Sequence, residues 1–169
     1  MIHTVAAGAM ALTACVTDIR SRRIPNTLTL GGAAAAFVFH LITGGLVALG
    51  GAAAAWAIGL LLFLPFFALR GIGGGDVKLL AGLGAWIGPA LTVWLAFWAA
   101  IAGGVFALVV ALAHGYTGSA FKNVWGMLTY WKVMGLRPHP VVTLESGTGP
   151  RLPYSLPIAA GLGLTLWLG

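Results

Sequence analysis

The sequence predicts an all-α integral membrane protein of about six transmembrane helices. Both termini are expected outside, and an interfacial helix is expected on the cytoplasmic surface between spans five and six. Three observations carry this. Of the 169 residues, 60% are hydrophobic and 7% charged, whereas soluble domains have roughly 25% charged residues. Mean hydropathy is +1.00. All nine Lys and Arg residues fall on one side if the chain crosses six times, which is the positive-inside pattern. Such a chain cannot cover a water-facing surface, so a soluble enzyme, a disordered chain and a secreted disulfide scaffold are excluded. The length fits a single membrane-embedded domain, residues 1–169.

The spans follow from apolar runs read against the ~20 helical residues that cross a bilayer. Span one is Ile2–Val16 and ends at Asp18. Span two runs from about Thr27 to Ile42, and span three is Leu46–Leu69. Span four starts at Asp76 and reaches Ile87, span five is Ala90–Ala113, and span six is Tyr154–Leu168. Spans one, two, four and six are short, so tilt, bilayer thinning or extension into the loops is implied. Gly44-Gly45 and Gly88-Pro89 break the run into tight hairpins. Leu12-Thr13-Ala14-Cys15 matches a lipoprotein cleavage box, but Met1-Ile2-His3 lacks the positive n-region of a signal. The segment is therefore read as a retained span.

The cations then separate. Arg20, Arg22 and Arg23 follow span one; Arg70 and Lys78 flank the turn before span four; Lys122, Lys132, Arg137 and Arg151 lie between spans five and six. Five or seven crossings would scatter them over both faces. This asymmetry also accounts for the net charge of +6, so membrane lipid rather than nucleic acid is the expected partner. Within Ser119–Gly135, Phe121, Val124, Trp125, Leu128 and Trp131 repeat at the spacing of one helical face. An interfacial helix is expected there, with Lys132 snorkelling from the same face. Arg137–Pro153, rich in proline, reads as a loop.

Only three carboxylates exist, Asp18, Asp76 and Glu145. An ionisable group at a membrane boundary is costly unless paired or wetted, which makes it a functional candidate. The simpler alternative is ion pairing, of Asp18 with Arg20 or Arg22 and of Asp76 with Arg70 or Lys78. Asp76 follows Gly73-Gly74-Gly75. Glycine permits unusual dihedrals and close approach of another chain, as a peptide substrate would require. Asp76 opens a helix, where the dipole favours a carboxylate, and Asp18 closes one, where it does not. If the two side chains meet, like charges cannot both ionise and one proton is shared. A water-activating aspartate dyad requires that arrangement.

Gly73-Gly74-Gly75-Asp76-Val77-Lys78 resembles the GxGD-x-K signature of type IV prepilin peptidases, the aspartic membrane proteases that process pilin and pseudopilin precursors. Asp18-Ile19-Arg20-Ser21-Arg22-Arg23-Ile24-Pro25-Asn26 is similar to the other catalytic segment of that family, and Arg151-Leu152-Pro153-Tyr154 resembles its P-Y motif before the last helix. The resemblance implies that Asp18 and Asp76 are the catalytic pair. It also implies cleavage of a short basic leader at the cytoplasmic face of the bacterial inner membrane. Prepilin or pseudopilin precursors are then the partners. Long members carry a cysteine-bearing cytoplasmic insertion and methylate the new N-terminus. This chain has no such insertion and no cysteine pair. It resembles the short form that serves tight-adherence (Flp, Tad/Cpa-type) pili, and methyl transfer is not expected. The family pattern has a glycine soon after the tyrosine where this chain has Ser155-Leu156-Pro157.

The secondary candidates are Lys78, Pro25, Asn26 and the three glycines. Lys78 would hold Asp76 ionised, contact the substrate backbone or anchor on lipid phosphate. Pro25-Asn26 fits a turn with Asn26 or Thr27 as helix cap. Glu145 lies in a loop, where it would meet a basic leader or simply be solvated. Cys15 is one turn from Asp18 and reads as a small packing residue. His3, His40, His114 and His139 are scattered, so neither a metal nor an organic cofactor is expected. The sequence thus points to an aspartic endopeptidase. Its rivals are a proton- or cation-coupled transporter or channel subunit, and a non-catalytic scaffold of a secretion machine.

Overall fold

The computed structural model describes residues 1–135 and 153–168, all of it helix and connecting turns. The helices are α1 (Ile2–Ser21), α2 (Asn26–Ala68), α3 (Gly74–Ile87), α4 (Pro89–Ala113), α5 (Thr117–Met134) and α6 (Ser155–Leu168). Three of them, α1, α2 and α4, are long and apolar enough to cross a membrane. Large apolar side chains such as Leu46, Val47, Leu61 and Val109 face outward, as expected of a surface that meets lipid rather than water.

Helix α2 consists of two arms. Gly45 sits between them with φ 66° and ψ −158°, a region essentially reserved for glycine. The arms must fold back on each other. A straight helix rises 1.5 Å per residue, which would put Thr29 and Gly59 roughly 45 Å apart. Instead they pack on adjacent residues of α3: a Cβ at Gly82 would lie 3.0 Å from the Thr29 carbonyl, and one at Gly59 2.7 Å from Ala81 Cα. Phe37 and Trp56, one from each arm, meet edge to face at 6.3 Å. The break read at Gly44-Gly45 is therefore a hairpin.

Small residues let the backbones approach this closely, which is how helices associate where lipid removes the hydrophobic drive. Ala7, Ala11, Ala14, Ala36, Ala55, Ala81 and Ala99 are buried. Met10 of α1 fills the notches left by Gly32 of α2 and Gly82 of α3. Helix α6 lies antiparallel to α4, with Gly161 against Ala99 and the Tyr154 hydroxyl against Gly103. Helix α3 is the axis of the bundle: every residue from Asp76 to Ile87 except Lys78 is buried. Its N-terminal end meets Ile24 and Phe67, and its C-terminal Trp86 meets Phe39 near the hairpin tip.

The expected boundaries shift in instructive ways. Helix α1 continues to Ser21, past the apolar run, and closes at Arg22 (φ 54°), whose N–H bonds the Asp18 carbonyl at 2.8 Å. Helix α3 starts at Gly74, two residues before Asp76. The cap of α2 is Pro25, without a side-chain cap bond; Asn26 is already the first helical residue, so neither it nor Thr27 serves as the cap. The interfacial stretch is a helix as expected, and among the described elements α5 packs on α4 alone. Its Phe121, Val124, Trp125 and Leu128 are exposed. The loop after α5, with Arg137, His139, Glu145 and Arg151, lies outside the described residues.

Candidate active site

Asp18 occupies the last turn of α1, on the same inward stripe as Ala7, Ala11, Ala14 and Cys15. It is 8% exposed. Its Oδ2 accepts a hydrogen bond from Ser155 Oγ at 2.7 Å and a long one from the Ser155 N–H at 3.4 Å. Ser155 is the first residue of α6 and fully buried. Asp18 closes α1 as expected, and a second helix end bears on it as well. The N-terminus of α6 arrives at the carboxylate and supplies the opposite end of a helix dipole.

Asp76 is the third residue of α3 and 9% exposed. Its Oδ2 accepts the Gly73 N–H at 3.1 Å, the acidic half of a capping box, which satisfies an N–H left orphaned at the helix start. Gly73 has φ −78° and ψ 150°, ordinary extended backbone. The positive-φ glycines lie elsewhere, at Gly45, Gly88, Gly115 and Gly135. The glycine triplet thus answers a need for space, not for unusual dihedrals. A Cβ at Gly73 would lie 3.0 Å from Asp76 Oδ2, one at Gly74 3.3 Å from the Phe67 ring, and one at Gly75 3.3 Å from Ile24 Cβ.

The two aspartates, far apart in sequence, line one cavity of about 400 Å³. That is ample for ligand-sized occupants, since such pockets span about 300–1,000 Å³. The carboxylates are close enough for their charges to act on each other. Arg22, Arg23, Pro25 and Gly73 to Gly75 complete much of the wall. Asp76 is also within electrostatic reach of the Tyr154 phenol, whose ring packs on Phe63 at 6.1 Å.

Lys78 has a partner that the sequence did not suggest. Its Nζ donates to Asn26 Oδ1 at 2.9 Å. This bond ties the N-terminal part of α3 to the first turn of α2, beside the cavity that Asn26 lines. Cys15 is buried, as expected of a packing residue, and its Sγ contacts the Ser155 carbonyl at 3.4 Å. Among the described residues no three His, Cys, Asp or Glu side chains gather where a metal would sit. Sequence reasoning missed Ser155. The signal was present as a departure, Ser155-Leu156-Pro157 where the family pattern has a glycine soon after the tyrosine.

The model of the type IV leader peptidase family matches residues 5–108. That is the larger part of the chain, and it holds both Asp18 and Asp76. Among curated proteins and solved structures, nothing matches. The chain belongs to the type IV leader peptidase family.

Proposed function

We propose that this member of the type IV leader peptidase family is an aspartic endopeptidase with Asp18 and Asp76 as its catalytic pair, cutting basic leaders from Flp-like prepilins or pseudopilins. The observation that carries the reading is the convergence of two buried carboxylates, from α1 and α3, on one cavity. Two carboxylates in contact share a proton because both cannot ionise. The ionised one takes a proton from the attacking water, while the protonated one donates to the scissile carbonyl oxygen. Collapse of the tetrahedral intermediate passes a proton to the leaving amine, so no metal or organic cofactor is needed.

The substrate is a membrane-inserted precursor helix whose leader reaches the cytoplasmic face of the inner membrane. Helical hydrogen bonds hide a scissile carbonyl, so the substrate must unwind locally. Gly73, Gly74 and Gly75 line the cavity that would receive that extended segment. The topology is six crossings within one embedded domain, termini outside. Gathering Arg20, Arg22, Arg23, Arg70 and Lys78 at the aspartate end of the bundle supports it. The exposed apolar face of α5 rests on the lipid surface at that end.

The test is co-expression with a small Flp-type precursor and separation of precursor from mature pilin. Asp18→Asn and Asp76→Asn should each abolish processing while the protein still accumulates in the membrane. A transporter or a scaffold leaves the precursor uncut even with the wild-type chain, and that result would overturn the reading.

A further inference from the structure

We infer that Ser155 is a positioning residue for Asp18: its buried hydroxyl, donating to Oδ2, fixes the carboxylate so that Oδ1 meets the water. This deepens the proposed function and rests on it. Among the described residues, both donors to Asp18 come from Ser155, and both land on Oδ2. An oxygen that accepts two donors is a poor site for taking a further proton, which leaves Oδ1 as the exchanging oxygen. The anchor is itself rigid. Ser155 is fully buried and opens α6. Among the described residues, the titratable and charged groups around the carboxylate are Cys15 on its own helix, Asp76 on α3 and, along the cavity wall, Arg22 and Arg23. Among the described residues Asp76 has a single N–H donor, from its own turn, so Asp18 is the pre-oriented partner and serves as base.

Purified variants are assayed on a purified Flp-type precursor in phosphatidylethanolamine–phosphatidylglycerol vesicles. Ser155→Ala is expected to lower kcat roughly 10- to 100-fold with KM unchanged, equivalent to about 1.4–2.7 kcal/mol at the transition state. Ser155→Thr, which keeps the hydroxyl, is expected to recover at least half of the lost rate. Cys15→Ala, which releases the other α1–α6 bond, is expected to keep wild-type kcat. Wild-type kcat in Ser155→Ala overturns the inference. So does equal loss in Ser155→Ala and Ser155→Thr, or equal loss in Ser155→Ala and Cys15→Ala, because packing would then be the cause. The parent reading fails separately: if Asp18→Asn still cleaves, the aspartate pair itself is wrong, whatever Ser155 does.

Discussion

Replacing Gly73 with alanine moves one carboxylate oxygen of Asp76 and little else. The backbone at Gly73 (φ −78°, ψ 150°) is open to any residue, so the substitution brings no conformational strain. Its new Cβ would sit 3.0 Å from Asp76 Oδ2, and the carboxylate must give by a few tenths of an ångström. The same oxygen accepts the Gly73 N–H at 3.1 Å, so that bond lengthens without vanishing. A hydrogen bond to a charged group contributes about 1.5–3 kcal/mol, and about half of it should be lost. That loss, with the misplacement, predicts a kcat lower by roughly tenfold, or about 1.4 kcal/mol. Folding should not suffer, since Gly→Ala at a compatible site is stabilising by about 0.4–1 kcal/mol. The assay is single-turnover cleavage of a Flp-type precursor beside thermal unfolding in detergent. Wild-type kcat at unchanged Tm would refute the link between this carboxylate's position and rate.

Two other substitutions test the scaffold. Gly161→Ala would place a Cβ 2.6 Å from Ala99 N and 2.9 Å from its Cα; backbone cannot swing aside, so α4 and α6 must separate at a cost of about 1–3 kcal/mol. Thermal unfolding in detergent reads this, and an unchanged Tm would contradict the close approach. Lys78→Met and Asn26→Leu each remove one side of a 2.9 Å bond, so a double-mutant cycle on stability should give a coupling of about 0.5–1.5 kcal/mol. Strict additivity of the two changes would dissolve the tie between α2 and α3.

Hydropathy made much of the helical layout legible because every apolar run after the first had a glycine or proline near an edge. The reversal at Gly45 and the junction at Gly88-Pro89 were read this way. Boundaries slipped where composition and geometry disagree. Thr17 to Ser21 are too polar to read as span, yet they continue α1 because the turn at Arg22 closes the helix with the Asp18 carbonyl. Gly74 and Gly75 are poor helix formers, which concealed the first turn of α3. Both aspartates stood out as acids amid apolar sequence. The bonds that hold the site together did not, because each joins segments remote in the chain: Asp18 with Ser155, Lys78 with Asn26. Only packing reveals such pairs. The glycine triplet was noticed for backbone freedom, and its use turned out to be clearance around Asp76, Phe67 and Ile24.

Helix α3 is sheathed on all sides by its neighbours, and that relieves it of the need to dissolve in hydrocarbon. It is therefore free to hold an acid, a lysine and four glycines within 14 residues. At 1.5 Å per residue those 14 residues measure roughly 21 Å, against a hydrocarbon slab of about 30 Å. If α3 crosses the bilayer, the shortfall is met by local thinning at its ends, and that thinning would bring water nearer to Asp76 without any channel through the bundle.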